Sequence, residues 1–374
     1  MIKVCFLNFG RRGCSPILQE CFAKACDATG DAEIFIALSK QSDRYEETCQ
    51  LPYERFEMHT HRGYASALIS LLRIPKMRKS FRQFIVENEI DVVCSVMANH
   101  LSALMCDALK GTGAKFCTIL HETVAVSHLP KEMITGKLVG RELRHCDYVI
   151  TLTDHIKEAA SEQYGIGLDR IYTIPHAVYE FAQPRVHSIA EESAYEVLFF
   201  GRIIPYKGLD LLLDAWPEIK KAIPKARLKI IGEGDCSNYQ DFIDSRDEII
   251  LDNRFVEDAE IEGILEASHL VVLPYKRASQ SGVIAAAMGA GLPVVCTDVG
   301  ALSEQVQDGV TGAIAKDVTA GAIAKSVISV LSDVAHYEQL SVNTLRVVEE
   351  HFSWDAVGQR LVEIMQSELE KTVK

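Results

Sequence analysis

Phe199-Phe200-Gly201-Arg202-Ile203-Ile204-Pro205-Tyr206-Lys207-Gly208 decides how this chain is read. It follows an apolar β-type run from Val197 to Phe200 and precedes an amphipathic helical run from Leu209 to Trp216. Arg202 and Lys207 therefore stand at a strand-to-helix junction, where unpaired N–H groups and the helix dipole already favour a diphosphate. A second loop-to-helix junction, Ser279-Gln280-Ser281-Gly282, lies ahead of Ala285-Ala286-Ala287-Met288. Two anion-ready helix starts in one half of the chain point to a phosphate-bearing ligand.

Size and composition narrow the remaining choices. At 374 residues the chain exceeds the length at which a single core stops growing, so two domains are expected. A hydrophobic content of 48% is ample for burial, and a net charge of -13 argues against nucleic acid as the main partner. The start, Met1 to Leu7, reads as a strand and lacks the charged region and cleavage site of a secretory signal. No apolar stretch reaches the roughly 20 residues that span a bilayer, so a cytoplasmic protein is expected. The eleven cysteines are scattered without a Cys-x-x-Cys pair, and Cys5, Cys117 and Cys296 fall in or beside apolar strand runs. Reduced, structural thiols are the reading.

Short β-rich runs alternate with longer helical ones throughout, the pattern of parallel sheets with crossover helices. In the first half strands are expected at Ile2–Leu7, Glu33–Leu38, Val92–Val96, Lys115–Leu120, Tyr148–Leu152 and Ile171–Ile174. In the second they fall at Glu196–Phe200, Arg227–Ile231, Ile249–Leu251, Leu270–Leu273, Pro293–Cys296 and Thr311–Ile314. Each half thus reads as a doubly wound, Rossmann-like α/β domain, with ligands beyond the carboxyl ends of its strands. The polar stretch from Phe181 to Ala194 marks the join, giving an N-terminal domain at 1–182 and a C-terminal one at 183–353. A last helix at 354–374 is left to pack on either. One segment departs from the acidic average: Arg73, Lys76, Arg78, Lys79 and Arg82 stand among Leu68, Ile69, Leu71, Leu72, Ile74, Phe81 and Phe84. Such a basic amphipathic stretch suits an anionic membrane surface, although Pro75 should interrupt any single helix there.

The second half resembles the retaining GT-B glycosyltransferases of family 4 (group 1). The resemblance starts at Gly201-Arg202 and Lys207-Gly208 and runs through Ile230-Ile231-Gly232-Glu233-Gly234, Asn253-Arg254-Phe255-Val256 and Leu273-Pro274-Tyr275. It continues in Ala278-Ser279-Gln280-Ser281-Gly282-Val283, Gly291 to Gly300, Glu304 and Asp308-Gly309-Val310-Thr311-Gly312. It implies a GT-B fold, two Rossmann-like domains facing each other across a cleft, with a nucleotide-diphosphate-sugar bound in the second. Arg202 and Lys207 would neutralise the departing diphosphate, and Ser281 with the N–H groups of Gly282, Val283 and Ile284 would add hydrogen bonds. Arg254, Phe255 and Val256 would seat the base. The glutamate pair usual in the family is replaced by Ala278 and Ala286, whose methyl groups accept no hydrogen bond. Glu304 and Glu233 are the candidates to take over ribose or sugar recognition. The Ala-Ser-Gln-Ser-Gly form resembles a subgroup associated with polysaccharide assembly.

In the first half, Asn8-Phe9-Gly10-Arg11-Arg12-Gly13 follows the first strand, where the family carries a glycine loop facing the donor phosphates. Gly10 and Gly13 would allow close backbone approach, and Arg11 or Arg12 would add charge. His121 after the strand Lys115–Leu120 matches a histidine that relatives place near the donor sugar, with His128 a weaker candidate and His176 a turn residue. The chain has no Asp-x-Asp, and the two cations can stand in for a metal, so neither a metal nor a further cofactor is expected. The resemblance implies sugar transfer, with retention, to a hydroxyl of a glycan or lipid-linked glycan. A nucleotide-sugar epimerase and a nucleotide-binding partner without turnover stay open as alternatives.

Overall fold

The computed structural model describes residues 1–11, 14–60, 64–122, 130–190 and 194–373. Two compact units emerge, residues 1–174 with 354–374, and residues 175–353. In the first, β1 (Ile2–Asn8), α1 (Cys14–Ala28), β2 (Ala32–Ser39), α2 (Tyr45–Cys49), β3 (Glu54–Met58), α3 (Tyr64–Glu87) and β4 (Val92–Ser95) lead the chain. They continue into α4 (His100–Met105), β5 (Lys115–Leu120), α5 (Pro130–His145), β6 (Tyr148–Thr151), α6 (Asp154–Tyr164) and β7 (Ile171–Thr173). In the second, β8 (Tyr195–Phe200), α7 (Leu209–Ala222), β9 (Ala226–Ile231), α8 (Gln240–Asp244), β10 (Ile249–Asp252) and α9 (Asp258–Glu266) come first. Then follow β11 (Leu270–Leu273), α10 (Gly282–Gly289), β12 (Val294–Thr297), α11 (Leu302–Gln305), β13 (Gly312–Ala315), α12 (Ala320–Leu331) and α13 (Val334–Val347). The last helix is α14 (Trp354–Val373).

Both sheets are parallel and Rossmann-like, as the alternating pattern predicts. The N-terminal sheet runs β3-β2-β1-β4-β5-β6-β7 and the C-terminal one β10-β9-β8-β11-β12-β13. Their middle strands are covered on both faces, which explains their unbroken apolar runs: Val4, Cys5, Phe6 and Leu7 of β1 are fully buried, as are Val197 and Leu198 of β8. The strand order reverses at β1 in one unit and at β8 in the other, and loops beyond such switch points are where open α/β sheets bind ligands. In the C-terminal sheet β8 and β11 are direct neighbours, with Val197 level with Leu270. The Gly201–Gly208 loop and the loop leading to α10 therefore leave adjacent strands at the same edge.

Three expectations need correction. β3 was not anticipated, because its Glu54-Arg55-Phe56-Glu57-Met58 sequence is an edge strand whose charges stay at the surface. Pro75 does not interrupt α3, which is continuous from Tyr64 to Glu87. Tertiary anchors outweigh the missing N–H: Ile74, Phe81 and Ile85 are buried, Arg78 donates to the Leu104 carbonyl at 2.7 Å, and Arg82 bonds the Lys110 carbonyl. The first unit ends at Ile174 rather than 182, because Val178 and Ala182 already sit in the core of the second and the Val178 N–H bonds the Phe352 carbonyl at 2.9 Å.

α14 packs against α1 within the N-terminal unit. Trp354 meets Phe22 edge-on at 5.2 Å, and a side chain at Gly358 would collide with the Ala25 carbonyl. All eleven cysteines are unbridged. Among the described residues no helix is long and apolar enough to cross a membrane.

Candidate functional site

Past Phe200 the chain turns sharply and its backbone lies directly on that of the neighbouring loop. Gly201 N–H bonds the Ile231 carbonyl at 2.9 Å, and Ile203 N–H bonds the Glu233 carbonyl at 2.8 Å. Gly232, at φ +146°, marks this close approach: a Cβ there would lie 2.1 Å from the Gly201 carbonyl oxygen. Asn253 clamps the same loop, donating to the Gly234 carbonyl at 2.9 Å and accepting its N–H at 3.0 Å. A short turn, Pro205–Lys207, then leads to Gly208, whose φ of +69° lets the chain swing into α7. A Cβ at Gly208 would strike the Pro274 carbonyl oxygen at 1.9 Å.

This scaffold presents both predicted cations. Arg202 is exposed and Lys207 half-buried, and among the described residues neither makes an ion pair. The nearby carboxylate Asp210 is taken by Lys276 at 2.6 Å. Lys207 Nζ sits 5.1 Å from the centre of the Tyr275 ring, in space left open by the missing side chain of Gly201. Burial, with the like charge of Arg202 second, lowers the Lys207 pKa to about 8. A poised, desolvated ammonium beside a guanidinium is an unfavourable pair until an anion arrives.

From the adjacent strand, α10 presents its N-terminus. The buried side chain of Gln305 fixes the cap, accepting the Ser281 N–H at 2.8 Å and donating to the Ser281 carbonyl at 3.2 Å. The first helical bond is Ala285 N–H to Ser281 at 3.3 Å, so the N–H groups of Gly282, Val283 and Ile284 precede it. Gly282 itself is exposed. Ala286 is buried in the apolar core of the unit and Ala278 is half-buried, so neither position offers an acceptor. Among the described residues, two buried polar atoms near this loop, Tyr275 Oη and Gln280 Oε1, have no hydrogen-bond partner.

Arg254 does not behave as an open ligand group. Its guanidinium makes a two-pronged pair with Glu260 at 2.8 Å for each bond and reaches both Asp252 oxygens at 3.0 Å. It locks the turn between β10 and α9, leaving the backbone of Val256 and the exposed Phe255 ring as the features a base could meet. Glu304 is exposed on α11, and Glu233 is exposed on the loop after β9.

In the N-terminal unit, Gly10 follows β1 at its switch point. Its N–H bonds Asn8 Oδ1 at 2.9 Å, and a side chain there would meet Ser15 Oγ at 2.5 Å. Arg11 is half-buried, its carbonyl holding the Asp43 N–H at 2.9 Å. Arg12, Gly13 and His128 lie outside the described residues. His121 is buried, with Nε2 3.0 Å from the Val96 carbonyl oxygen, so its ring is oriented by the loop after β4. In the other unit His176 is buried with Nδ1 2.8 Å from the Ala177 carbonyl oxygen, and burial lowers its pKa, keeping it neutral.

Glu142 was not anticipated. Fully buried in α5, it accepts from Thr118 Oγ1 at 3.1 Å and from Ser102, which also closes the capping box of α4 with Asn99. Burial raises its pKa, outweighing the hydrogen bonds that lower it. Nothing but one of two glutamates in an amphipathic helix signals it in the sequence. The grouping of Cys106, Asp107 and His145 has ligand atoms close enough for a metal. Asp107 is instead ringed by Arg141 at 2.6 Å, Arg78 at 2.8 Å and Lys110 at 3.0 Å, an environment that repels a cation.

Residues 194–333 match the family model "Glycosyl transferases group 1", and residues 22–179 match "Glycosyltransferase Family 4". Each half thus matches a glycosyltransferase family model of its own, and the fold they build is GT-B. Among curated proteins, the glycogen synthase of Mycobacterium tuberculosis is 25% identical over 225 residues, 59% of this chain and 54% of that protein. The chain thus spans about half the length of that relative. Among solved structures, a glycosyltransferase from Rickettsia africae superimposes with a TM-score of 0.71 at 16% identity, covering 98% of each chain. HepE of Anabaena, solved with UDP and glucose, gives 0.68 at 17% identity over 98% of this chain and all of that one. At these identities the structural likeness establishes the GT-B fold.

Proposed function

We propose that this GT-B protein is a retaining glycosyltransferase that moves a sugar from a nucleoside-diphosphate donor to a hydroxyl of a glycan or lipid-linked glycan. One observation carries the proposal. Arg202 and Lys207, without a carboxylate partner among the described residues, and the first-turn N–H groups of α10 rise from neighbouring strands at one switch point. A diphosphate satisfies both at once. As the sugar–phosphate bond breaks, charge accumulates on the leaving oxygen, and cations already in place stabilise it without reorganisation. They also take the part a divalent ion plays elsewhere, so no metal enters the proposal. With alanine at 278 and 286 there is no carboxylate nucleophile at those positions, which favours departure and attack on the same face. HepE was solved with UDP and glucose, which supports a nucleotide-sugar donor. The exposed Arg73, Lys76 and Lys79 of α3 favour an acceptor held at an anionic membrane surface.

A second reading rests on Ala286, whose methyl lies in the apolar core where the family has a ribose-binding acid. It makes the protein a nucleotide-binding partner without turnover. Incubation with a panel of nucleotide sugars, with and without glycan acceptors, separates the readings. Release of nucleoside diphosphate with the sugar joined to acceptor at unchanged anomeric configuration supports transfer. Binding without release supports the partner, and free epimerised sugar would assign an epimerase instead.

A further inference from the structure

Tyr275 comes two residues after β11, outside the two cation- and amide-bearing junctions, yet touches both. Its ring lies 5.1 Å from Lys207 Nζ, within the range of a cation–π contact, and packs edge-on against Tyr206 at 6.3 Å. Its hydroxyl lies near Ser281, the N-cap of α10, which lowers the phenol's pKa where burial raises it, without forming a hydrogen bond of normal geometry. Thr297 Oγ1 anchors its carbonyl at 2.6 Å, so the ring is held from behind by β12.

We propose that Tyr275 is a positioning residue: its ring holds the Lys207 ammonium in place, and holds it charged, for the diphosphate that also seats on α10. This rests on the donor-site reading and adds a residue to it. The surroundings leave the task to the ring. From its own loop Lys207 faces Arg202, which repels it, and from its own turn Tyr206, which carries no carboxylate. On the β11 side Lys276 is paired with Asp210 of α7 at 2.6 Å, and Arg277 lies 6.0 Å from the Tyr206 ring. From α10, Val283 closes the space beside Gly201. No carboxylate among the described residues pairs with Nζ, so the π face is the favourable electrostatic contact that the structure gives the ammonium. A hydroxyl buried without a partner is a liability that the ring, not the hydroxyl, explains.

The test uses UDP, GDP and ADP as separate probes, titrated calorimetrically into the full chain at pH values on both sides of 8. In the wild type, affinity for the best nucleotide should fall as pH rises through about 8, where Lys207 loses its proton. Tyr275→Leu, which removes the π face, should move that fall about one pH unit lower, the scale of one cation–π contact. Tyr275→Phe keeps the ring, discards the unpartnered hydroxyl and should leave the midpoint where it was. In a Lys207→Arg background, where the side chain cannot titrate, Tyr275→Leu should shift no midpoint. If Tyr275→Leu does not fold, ring-current displacement of the Lys207 ε-protons in the wild type is the second readout, and normal shifts overturn the proposal. An unmoved midpoint in Tyr275→Leu, or a moved one in Tyr275→Phe, also overturns it while the donor reading stands. A wild type that binds none of the three nucleotides defeats the donor reading first.

Discussion

Lys207→Met should make the protein more stable and nearly inactive. The side chain keeps an unbranched apolar stem, one atom shorter, but loses its charge. Burial and Arg202 bring the Lys207 pKa from 10.5 to about 8. At about 1.4 kcal/mol per pH unit, the folded state carries a penalty of roughly 3 kcal/mol for the ammonium at neutral pH. Methionine removes that penalty, so urea unfolding should report a gain of about 1 to 3 kcal/mol, reduced by whatever packing the thioether fails to restore. The sign has a second signature. Between pH 8 and pH 10.5 the unfolded lysine holds a proton that the folded one has shed, so wild-type stability rises with pH across that window. The methionine variant should lack this rise. Turnover of the best donor should fall by roughly a hundredfold or more, the size of losing one transition-state charge contact. A variant less stable than wild type, or one that turns over normally, would refute the picture of a desolvated cation waiting for a diphosphate.

Other perturbations report on the remaining features. Gly232→Ala places a Cβ 2.1 Å from the Gly201 carbonyl oxygen at φ +146°, so it should cost about 2 to 4 kcal/mol in chemical denaturation and weaken nucleotide binding; a near-neutral effect would deny the close backbone approach. For Glu142, whose folded pKa is raised by burial, wild-type stability should decline as pH climbs from the ordinary carboxylate range through the folded value. Glu142→Gln should abolish that decline, and melting curves with equal pH slopes would speak against it. Replacing Arg73, Lys76 and Lys79 together by glutamine should lower co-sedimentation with phosphatidylserine vesicles by roughly a hundredfold, at about 1 kcal/mol per cation. Equal sedimentation of both proteins removes the membrane from the acceptor argument.

How much of this was legible in the sequence depended on what each residue had to satisfy. The central strands are apolar because both faces of a parallel sheet are covered, and that demand is written plainly in runs such as Val4 to Leu7. β3, an edge strand carrying Glu54, Arg55 and Glu57, shows no apolar run and escaped notice. The cations were legible because Arg202 and Lys207 sit at fixed places around glycines whose geometry permits one kind of turn. The pairing of Arg254 was not legible because a motif names a residue without naming its partner. Its carboxylates, Asp252 and Glu260, are close in the chain and could have been suspected from spacing alone. Pro75 misled for the opposite reason, since local propensity was outweighed by contacts from α4 and the segment beyond it. Glu142 and Tyr275 gave no local sign because their roles arise from neighbours far along the chain.

The return of α14 to α1 has a practical corollary for anyone dissecting the molecule. The polypeptide leaves its first folding unit once and re-enters it at Trp354, so that unit is discontinuous in sequence. Expressing residues 1–174 alone would strip away Val357, Leu361, Val362 and Met365, all fully buried, and leave the α1 surface around Phe22 bare and sticky. A soluble half-molecule would instead need the terminal segment spliced back on, whereas residues 175–353 form one uninterrupted stretch suited to separate expression.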